Sequence, residues 1–368
     1  GRQQVSVVSA VNDSVGAVIA DDDVQLESSD PAVVEIKDGV AVAVGNGTAE
    51  VVARTSDGHQ ATATVKVVAT DGQHHWSFRN DVQSVFSKVG CNMGACHGAL
   101  AGKGGFKLSL RGYDSDADFH TITREARGRR IELSDPGRSL ILAKPTAALP
   151  HKGGLKLKTS SRDYRVLSQW IADGAQGPQA DDPKLQNISV LPESALLSKG
   201  DTSRVLVNAH YDDGRVVDVT PWAQFTATDE AVAGVDDAGV VSVRGSGEGA
   251  VLVWFGSKVA LARMTVPYPN EISPSVYAEA PRRNFIDDLN LAQLETLRLS
   301  PSPRCDDEAF LRRATLDTVG RLPTPQQRAG FLAEPAETRR DWLIEQLLAS
   351  EDYVDYWTYR WCDMLLIN

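Results

Sequence analysis

The chain has 368 residues, of which 24% are charged, and its formal net charge is −11 at pH 7. This length is too great for one ordinary domain and indicates two to four domains. The acidic balance argues against a nucleic-acid partner, which requires a basic surface. The apolar runs fall short of the roughly 20 residues that span a bilayer, so we expect no transmembrane segment in this chain.

A repeat occurs twice in the chain. The run Ser29–Val34 corresponds to Thr228–Ala233, and three glycines follow each run at matching positions: Gly39, Gly45 and Gly47, then Gly239, Gly245 and Gly247. Alternating apolar residues between Gly-rich turns are typical of the short strands of a β-sandwich. The pattern resembles the bacterial Ig-like domain of group 2. We predict two such domains, at residues 1–70 and 185–268, the first lacking its opening strand.

Cys91, Cys96 and His97 form the most distinctive pattern of the chain. Two cysteines followed directly by a histidine are typical of covalent haem attachment, in which the thiols add to the porphyrin vinyl groups and the imidazole binds iron. The usual motif has two residues between the cysteines, and this one has four. The extra residues must therefore bulge outward, and Gly94, with its free backbone, lies in that bulge.

Half of a zinc site and a disulfide are the two alternative interpretations of this cysteine pair. The remaining cysteines, Cys305 and Cys362, are isolated and far away in sequence, which disfavours zinc. An exported chain would permit a disulfide. Neither alternative explains why His97 follows Cys96 directly, so haem is favoured, and we expect Cys305 and Cys362 to take no part in binding it.

The opposite face of the iron needs a second ligand, and the methionines are poorly placed for it. Met93 lies inside the attachment loop, and Met264 and Met364 fall in other predicted domains. His151 follows Pro150, which stiffens the loop, and precedes Lys152–Gly154, whose glycines permit close approach of the backbone to a porphyrin. We therefore predict His151 as the distal ligand. His120 and the pair His74 and His75 remain the alternatives.

Several runs resemble the planctomycete cytochrome-type domain: Phe86–Gly98, Gly102–Gly112, Pro150–Gly154 and Trp170–Ala175. The resemblance implies a mainly α-helical, cytochrome c-like domain over residues 76–178 with one covalent haem c per chain. In the related domains a Met-Pro-Pro loop usually supplies the distal ligand, and Leu149–His151 stands in that place here.

Short helices separated by long loops suit such a domain, since haem itself supplies core volume. We expect one helix capped by Asn80 or Asp81, one at Ser139–Ala143 and one opening at Asp163. The Gly-rich run Gly102–Gly112 is either a site for haem propionates or a strand–turn excursion with exposed lysines.

From Tyr277 onward the spacing of apolar residues is typical of helices, and Thr324–Pro325 is a favourable helix start. The runs Phe310–Asp317 and Gly320–Pro325 resemble the start of a large helical domain of unknown function that usually accompanies these cytochromes. We predict that residues 275–368 are the truncated N-terminal part of that domain. The polar opening of the chain and its apolar end at Met364–Asn368 favour a trimmed piece of a longer, exported protein.

The resemblance implies export to the periplasm or cell surface, because haem c is assembled outside the cytoplasm. We expect electron transfer between the haem and a redox partner protein or the missing C-terminal domains. One alternative is the haem portion of a larger oxidoreductase that acts on polysaccharide or another extracellular substrate. The other is a surface or adhesion protein in which the Ig-like repeats dominate and the haem is accessory.

Overall fold

The computed structural model describes residues 2–11, 14–19, 24–68 and 75–367. Its strands in the first part of the chain are β1 Arg2–Gln4, β2 Val8–Val11, β3 Ser14–Val18, β4 Val24–Ser28, β5 Val34–Lys37, β6 Val40–Ala43, β7 Gly47–Thr55 and β8 Gln60–Val67. The later strands are β9 Leu185–Leu191, β10 Ser194–Leu196, β11 Thr202–Arg204, β12 Leu206–Tyr211, β13 Val216–Asp218, β14 Gln224–Ala227, β15 Ala233–Val235, β16 Val240–Val243, β17 Gly247–Phe255 and β18 Lys258–Val266.

The helices occupy the stretch between the two strand-rich regions and the C-terminal part. Those of the middle stretch are α1 Gln83–Lys88, α2 Ser115–Thr123, α3 Leu140–Ala143 and α4 Arg162–Ala172. Those of the C-terminal part are α5 Pro274–Ala278, α6 Phe285–Leu297, α7 Asp307–Val319, α8 Pro325–Ala333, α9 Arg339–Leu348 and α10 Glu351–Met364. The multidomain, β-rich character of the chain and its C-terminal helical segment are therefore confirmed.

The chain separates into two compact units, Gly1–Ile272 with Glu295–Leu299, and Ser273–Leu294 with Ser300–Asn368. The second unit is helical and has its own apolar core, formed by Leu311, Val319, Phe331, Leu343 and Leu347. The predicted start at Thr324–Pro325 is confirmed, because Thr324 Oγ1 accepts from the N–H of Gln327 at 3.1 Å in a full capping box. No helix of the described residues is long and apolar enough to cross a membrane.

Two three-stranded sheets form the N-terminal β region, with strand orders β1-β6-β5 and β4-β7-β8. On β7, Ala49, Val51 and Ala53 are buried and alternate with more exposed residues, as expected for a strand with one face on a core. Ala49 and Val51 pack with Val34 and Ala41 of the other sheet.

Strands β2 and β3 leave this region and join the second one. The strand order of the larger sheet is β14-β17-β18-β10-β3-β2, and β3 pairs in parallel with β10 through Val15 and Ala195. The sequence predicted that the first repeat lacks its opening strand. It did not predict that β2 and β3 would extend the sheet of the second repeat.

Helices α1, α3 and α4 occur where the sequence predicts helices, and α2 is additional. Two of the predicted caps differ. Ser77, not Asn80 or Asp81, caps the first helix, because its Oγ accepts from the N–H of Asn80 at 3.2 Å. A π-helical turn over Phe78–Val82 then leads into α1. Helix α4 is capped by Ser161 rather than opened by Asp163.

One hydrophobic core runs from this middle stretch into the second β region. Phe78, Val85 and Trp170 on the helical side belong to the same buried cluster as Val207 and Val253 of the sheets. The predicted division at residues 178–185 remains a prediction about domain boundaries, but the two segments share their apolar interior and stabilise each other by burying it.

Polar contacts fix α1 against the second β region. Lys88 Nζ donates to the carbonyl oxygens of Ala223 at 2.7 Å and Asp237 at 2.6 Å, and Gln224 Nε2 donates to the Ser87 carbonyl at 2.6 Å. Burial lowers the pKa of Lys88 from its ordinary value, and nearby carboxylates, Asp237 first, partly offset this. The helix that leads into Cys91 therefore has a fixed position.

We expect Lys88→Ala to weaken the packing of α1 against the second β region. Removal of the ammonium leaves the buried Ala223 carbonyl without its donor, at a cost of about 1–3 kcal/mol. Hydrogen exchange of the peptide over residues 83–90 should therefore become faster than in the wild type. The exposed Lys107 offers the matched control, since Lys107→Ala should leave that peptide unchanged. Equal protection in both variants would contradict a clamping role for Lys88.

Candidate functional site

The segment from Cys91 to His97 forms a closed loop at the end of α1. The N–H of Cys91 donates to the Phe86 carbonyl at 2.8 Å, so the loop continues directly from the helix. The N–H of His97 donates back to the Cys91 carbonyl at 2.9 Å, which brings the two ends of the loop together. Cys91 and Cys96 are half-buried free thiols.

The middle of the loop bulges outward as predicted, since Gly94 is exposed. The conformational freedom of glycine is not needed there, because a Cβ on Gly94 would come no closer than 4.0 Å to Leu110 Cδ1. It is needed at Gly98, where a Cβ would lie 2.0 Å from the Asn92 carbonyl oxygen. Gly94 thus lies in the exposed part of the loop without being required there, and the tight backbone approach at Gly98 is what shapes the loop.

His97 and His151 lie together, although the sequence separates them widely. Their ring centres are 6.4 Å apart and their planes differ by 10°. His97 Nδ1 is 3.0 Å from the Phe106 carbonyl oxygen, and His151 Nδ1 is 3.0 Å from that of Gly154. A carbonyl can only accept, so both Nδ1 atoms carry the proton, and in the neutral rings the lone pair that could bind a metal is on Nε2.

This spacing fits two axial ligands of one metal ion. Imidazole nitrogens bind first-row metals at about 2.0 Å, so two imidazoles on opposite sides of one ion have ring centres about 6 Å apart. The carbonyl acceptors at Nδ1 are the outer partners that normally orient a metal-binding histidine. A haem iron takes only its axial ligands from the protein, so a pair of histidines suffices.

The loop that carries His151 is shaped by Gly153. A Cβ on Gly153 would lie 2.8 Å from His151 Cε1, so the backbone passes close to the edge of the imidazole ring. The N–H of Gly154 donates to the His151 carbonyl at 3.0 Å and closes the turn. The sequence attributed this glycine pair to contact with a porphyrin, and the contact that the structure shows is between Gly153 and the ring of His151.

Phe106 supplies both a carbonyl and a ring to His97. Lys103 and Phe106 exchange hydrogen bonds of 2.9 and 3.1 Å around Gly104 and Gly105, which have φ of +58° and +72°. Two left-handed residues make a type I′ turn, which glycine favours. The run thus contains the predicted turn, and the ring centres of Phe106 and His97 are 4.6 Å apart. The Gly-Gly pair signalled this turn, but nothing signalled its contact with His97.

Burial shifts the pKa of both His97 and Cys91. Burial lowers the pKa of His97, and the hydrogen bond to Phe106 only partly opposes this effect. The lowered pKa favours the neutral ring, which is the form that binds metal. Burial, with a smaller effect from Cys96, raises the pKa of Cys91 to about 12. Cys91 is therefore a thiol rather than a thiolate at neutral pH.

The alternative ligands do not share this arrangement. His120 lies on α2 and is exposed, as is His75, whereas His74 lies outside the described residues. Met93 Sδ is 3.9 Å from Gln224 Nε2 of the second β region, and Met264 is fully buried in the common core. Cys305 and Cys362 are free thiols. Three or more His, Cys, Asp or Glu side chains do not converge on a metal position anywhere among the described residues.

A family comparison identifies the C-terminal segment only. Residues 285–368, under a quarter of the chain, match the family described as "PSCyt2: Protein of unknown function (DUF1549)". This confirms the resemblance of that segment to a domain of unknown function. The match does not reach Cys91 or His97. No curated protein is similar in sequence to this chain.

Solved structures of S-layer proteins give weak superpositions. The crystal structure of the S-layer protein rSbsC(31-844) covers 68% of this chain at 12% identity and a TM-score of 0.21, and this chain covers 21% of it. Domains 5-6 of the S-layer protein SbsC align at 18% identity and a TM-score of 0.22, covering 25% of this chain and 48% of that one. The chain thus spans about a fifth of the first protein's length, and similarity at this level carries no argument about function.

Proposed function

We propose that this chain is a c-type cytochrome module that carries one haem c and transfers electrons. Cys91 and Cys96 would hold the haem through thioether bonds, and His97 and His151 would bind its iron. The observation that supports this best is the pair of near-parallel imidazoles 6.4 Å apart, each with its Nδ1 proton held by a carbonyl. The Cys-x4-Cys-His pattern beside that pair specifies haem c rather than a bare metal ion.

Each protein group has a defined part in this proposal. Bound haem supplies one-electron redox chemistry. The carbonyls of Phe106 and Gly154 keep the protons on Nδ1 and hold the two rings in place, so both Nε2 atoms stay available. The ring of Phe106 packs against His97 at a ring-centre distance of 4.6 Å and supports its position. Iron bound by both histidines would have no free position for a small ligand, which favours electron transfer over oxygen or peroxide chemistry.

Location and partners follow from the cofactor. Haem c is attached outside the cytoplasm, so we propose a periplasmic or cell-surface protein. The electrons pass to or from a redox protein. In the alternative proposal, this module is the haem portion of a larger oxidoreductase, and polysaccharide is a substrate of that enzyme.

An absorption spectrum of the chain, produced in a host that attaches haem c, tests this proposal. We expect a low-spin spectrum in both oxidation states and no change when carbon monoxide is added to the reduced protein. A chain from the same host without the attachment machinery is the control and should lack the bands. A high-spin spectrum with rapid carbon monoxide binding would contradict the electron-transfer proposal. It would favour an enzyme or sensor in which the iron has an open coordination position.

A further inference from the structure

Arg130 is a buried cation beside the candidate haem ligands, and the proposed function does not use it. It is 5% exposed, and arginine is rarely buried so far without partners. Its guanidinium donates to three backbone carbonyls, those of Thr121 at 2.7 Å, Gly105 at 2.8 Å and Glu125 at 3.3 Å. These bonds tie the end of α2 to the turn that contains Phe106.

The guanidinium reaches His97 through one intervening residue. The Arg130 Cζ atom lies 4.7 Å from the centre of the Phe106 ring, which in turn lies 4.6 Å from the His97 ring. Arg130 also holds the carbonyl of Gly105, the other half of the peptide that leads into Phe106. The Phe106 carbonyl orients His97. Arg130 therefore positions His97 indirectly, by holding the turn that contains Phe106.

The charge of Arg130 also acts on this site. A guanidinium stays protonated in proteins, even where burial lowers its pKa as it does here. The nearest carboxylate oxygen is Glu125 Oε2 at 3.8 Å, on a side chain that is 45% exposed and therefore screened by solvent. A largely uncompensated positive charge close to an iron centre disfavours the ferric state relative to the ferrous state.

We propose that Arg130 is a positioning residue for His97 and that its charge raises the reduction potential of the haem iron. This inference rests on the proposed function. Iron with two histidine ligands has a low reduction potential. We expect Arg130, whose guanidinium packs on the Phe106 ring, to raise this potential. The chain thereby acts as a carrier of intermediate potential.

Redox titration of the haem-loaded chain by spectroelectrochemistry tests the inference. Arg130→Met removes the charge and should shift the ferric/ferrous equilibrium toward the ferric state by about tenfold, which for one electron is 59 mV. Arg130→Lys keeps the charge and should restore most of the shift. It should still alter the electron paramagnetic resonance signal of the low-spin ferric iron, because Lys cannot make the forked contacts. Arg129→Gln removes an equal charge from an exposed neighbour and should change the equilibrium by less than twofold.

The outcomes separate this inference from the proposed function. A wild type that takes up no haem overturns the proposed function and this inference with it. A low-spin, haem-loaded Arg130→Met variant with the wild-type potential overturns the inference alone, as does an equal shift in Arg130→Met and Arg130→Lys. If Arg130→Met does not fold, Arg130→Gln, which can still donate to Gly105, replaces it in the same comparison.

Discussion

Replacing His151 by alanine should convert the haem iron from six-coordinate and low-spin to five-coordinate and high-spin. The reason is that the distal ligand disappears while His97 keeps its hydrogen bond to Phe106. The ferrous variant should then bind carbon monoxide rapidly, whereas the wild type should not. Visible absorption spectra of both oxidation states, with and without carbon monoxide, measure the change.

The exposed His120 provides the control for this experiment. His120→Ala should keep the wild-type spectrum, since no contact of that residue reaches the imidazole pair in the described part of the chain. His151→Met should stay low-spin with a raised reduction potential, because thioether ligation favours the ferrous state. If His151→Ala keeps the low-spin spectrum, another residue is the distal ligand, and His120 or the His74 and His75 pair becomes the next candidate.

Gly98→Ala should strongly reduce haem attachment, whereas Gly94→Ala should have almost no effect. At Gly98 the new methyl group would meet the Asn92 carbonyl oxygen at 2.0 Å, so the backbone of the loop must move. That carbonyl also accepts from the N–H of Arg111 at 3.0 Å, and this bond would be lost. We expect a loss of about 2 kcal/mol or more in the free energy of unfolding of the loop region.

The ratio of haem to protein in the purified variants measures this effect. Cys96 and His97 directly precede Gly98, so movement of the backbone there displaces both from the positions in which they meet the haem. Gly94 has open space around it, so a methyl group fits without rearrangement. Equal haem content in the two variants would show that the tight approach at Gly98 does not shape the attachment site.

Local patterns in the sequence were sufficient to predict much of this molecule. The alternation of apolar residues between Gly-rich turns predicted short strands such as β7, and the pair Thr324–Pro325 predicted the start of α8, because each depends on neighbours in the sequence. The loop from Cys91 to His97 was likewise recognisable from spacing alone. His151 was reached by elimination among histidines and methionines, and the structure places it beside His97.

Contacts between distant parts of the chain were beyond prediction. The parallel pairing of Val15 with Ala195 and the bonds from Lys88 to Ala223 depend on the packing of whole segments, which leaves no periodic signal. The same holds for Arg130, which follows the exposed Arg129 and whose burial depends on α2 and the Gly104–Gly105 turn. The need for glycine at Gly98 arises from a backbone approach that only a structure shows.

The central claim, one covalent haem on this chain, is tested most directly by the intact mass of the denatured protein. For the chain produced in a host with haem-attachment machinery, we expect a mass that exceeds the 39.7 kDa polypeptide by one haem. The double variant Cys91→Ser and Cys96→Ser should return to the bare polypeptide mass, and Cys305→Ser with Cys362→Ser should retain the haem. A wild-type mass equal to that of the bare polypeptide would contradict the account.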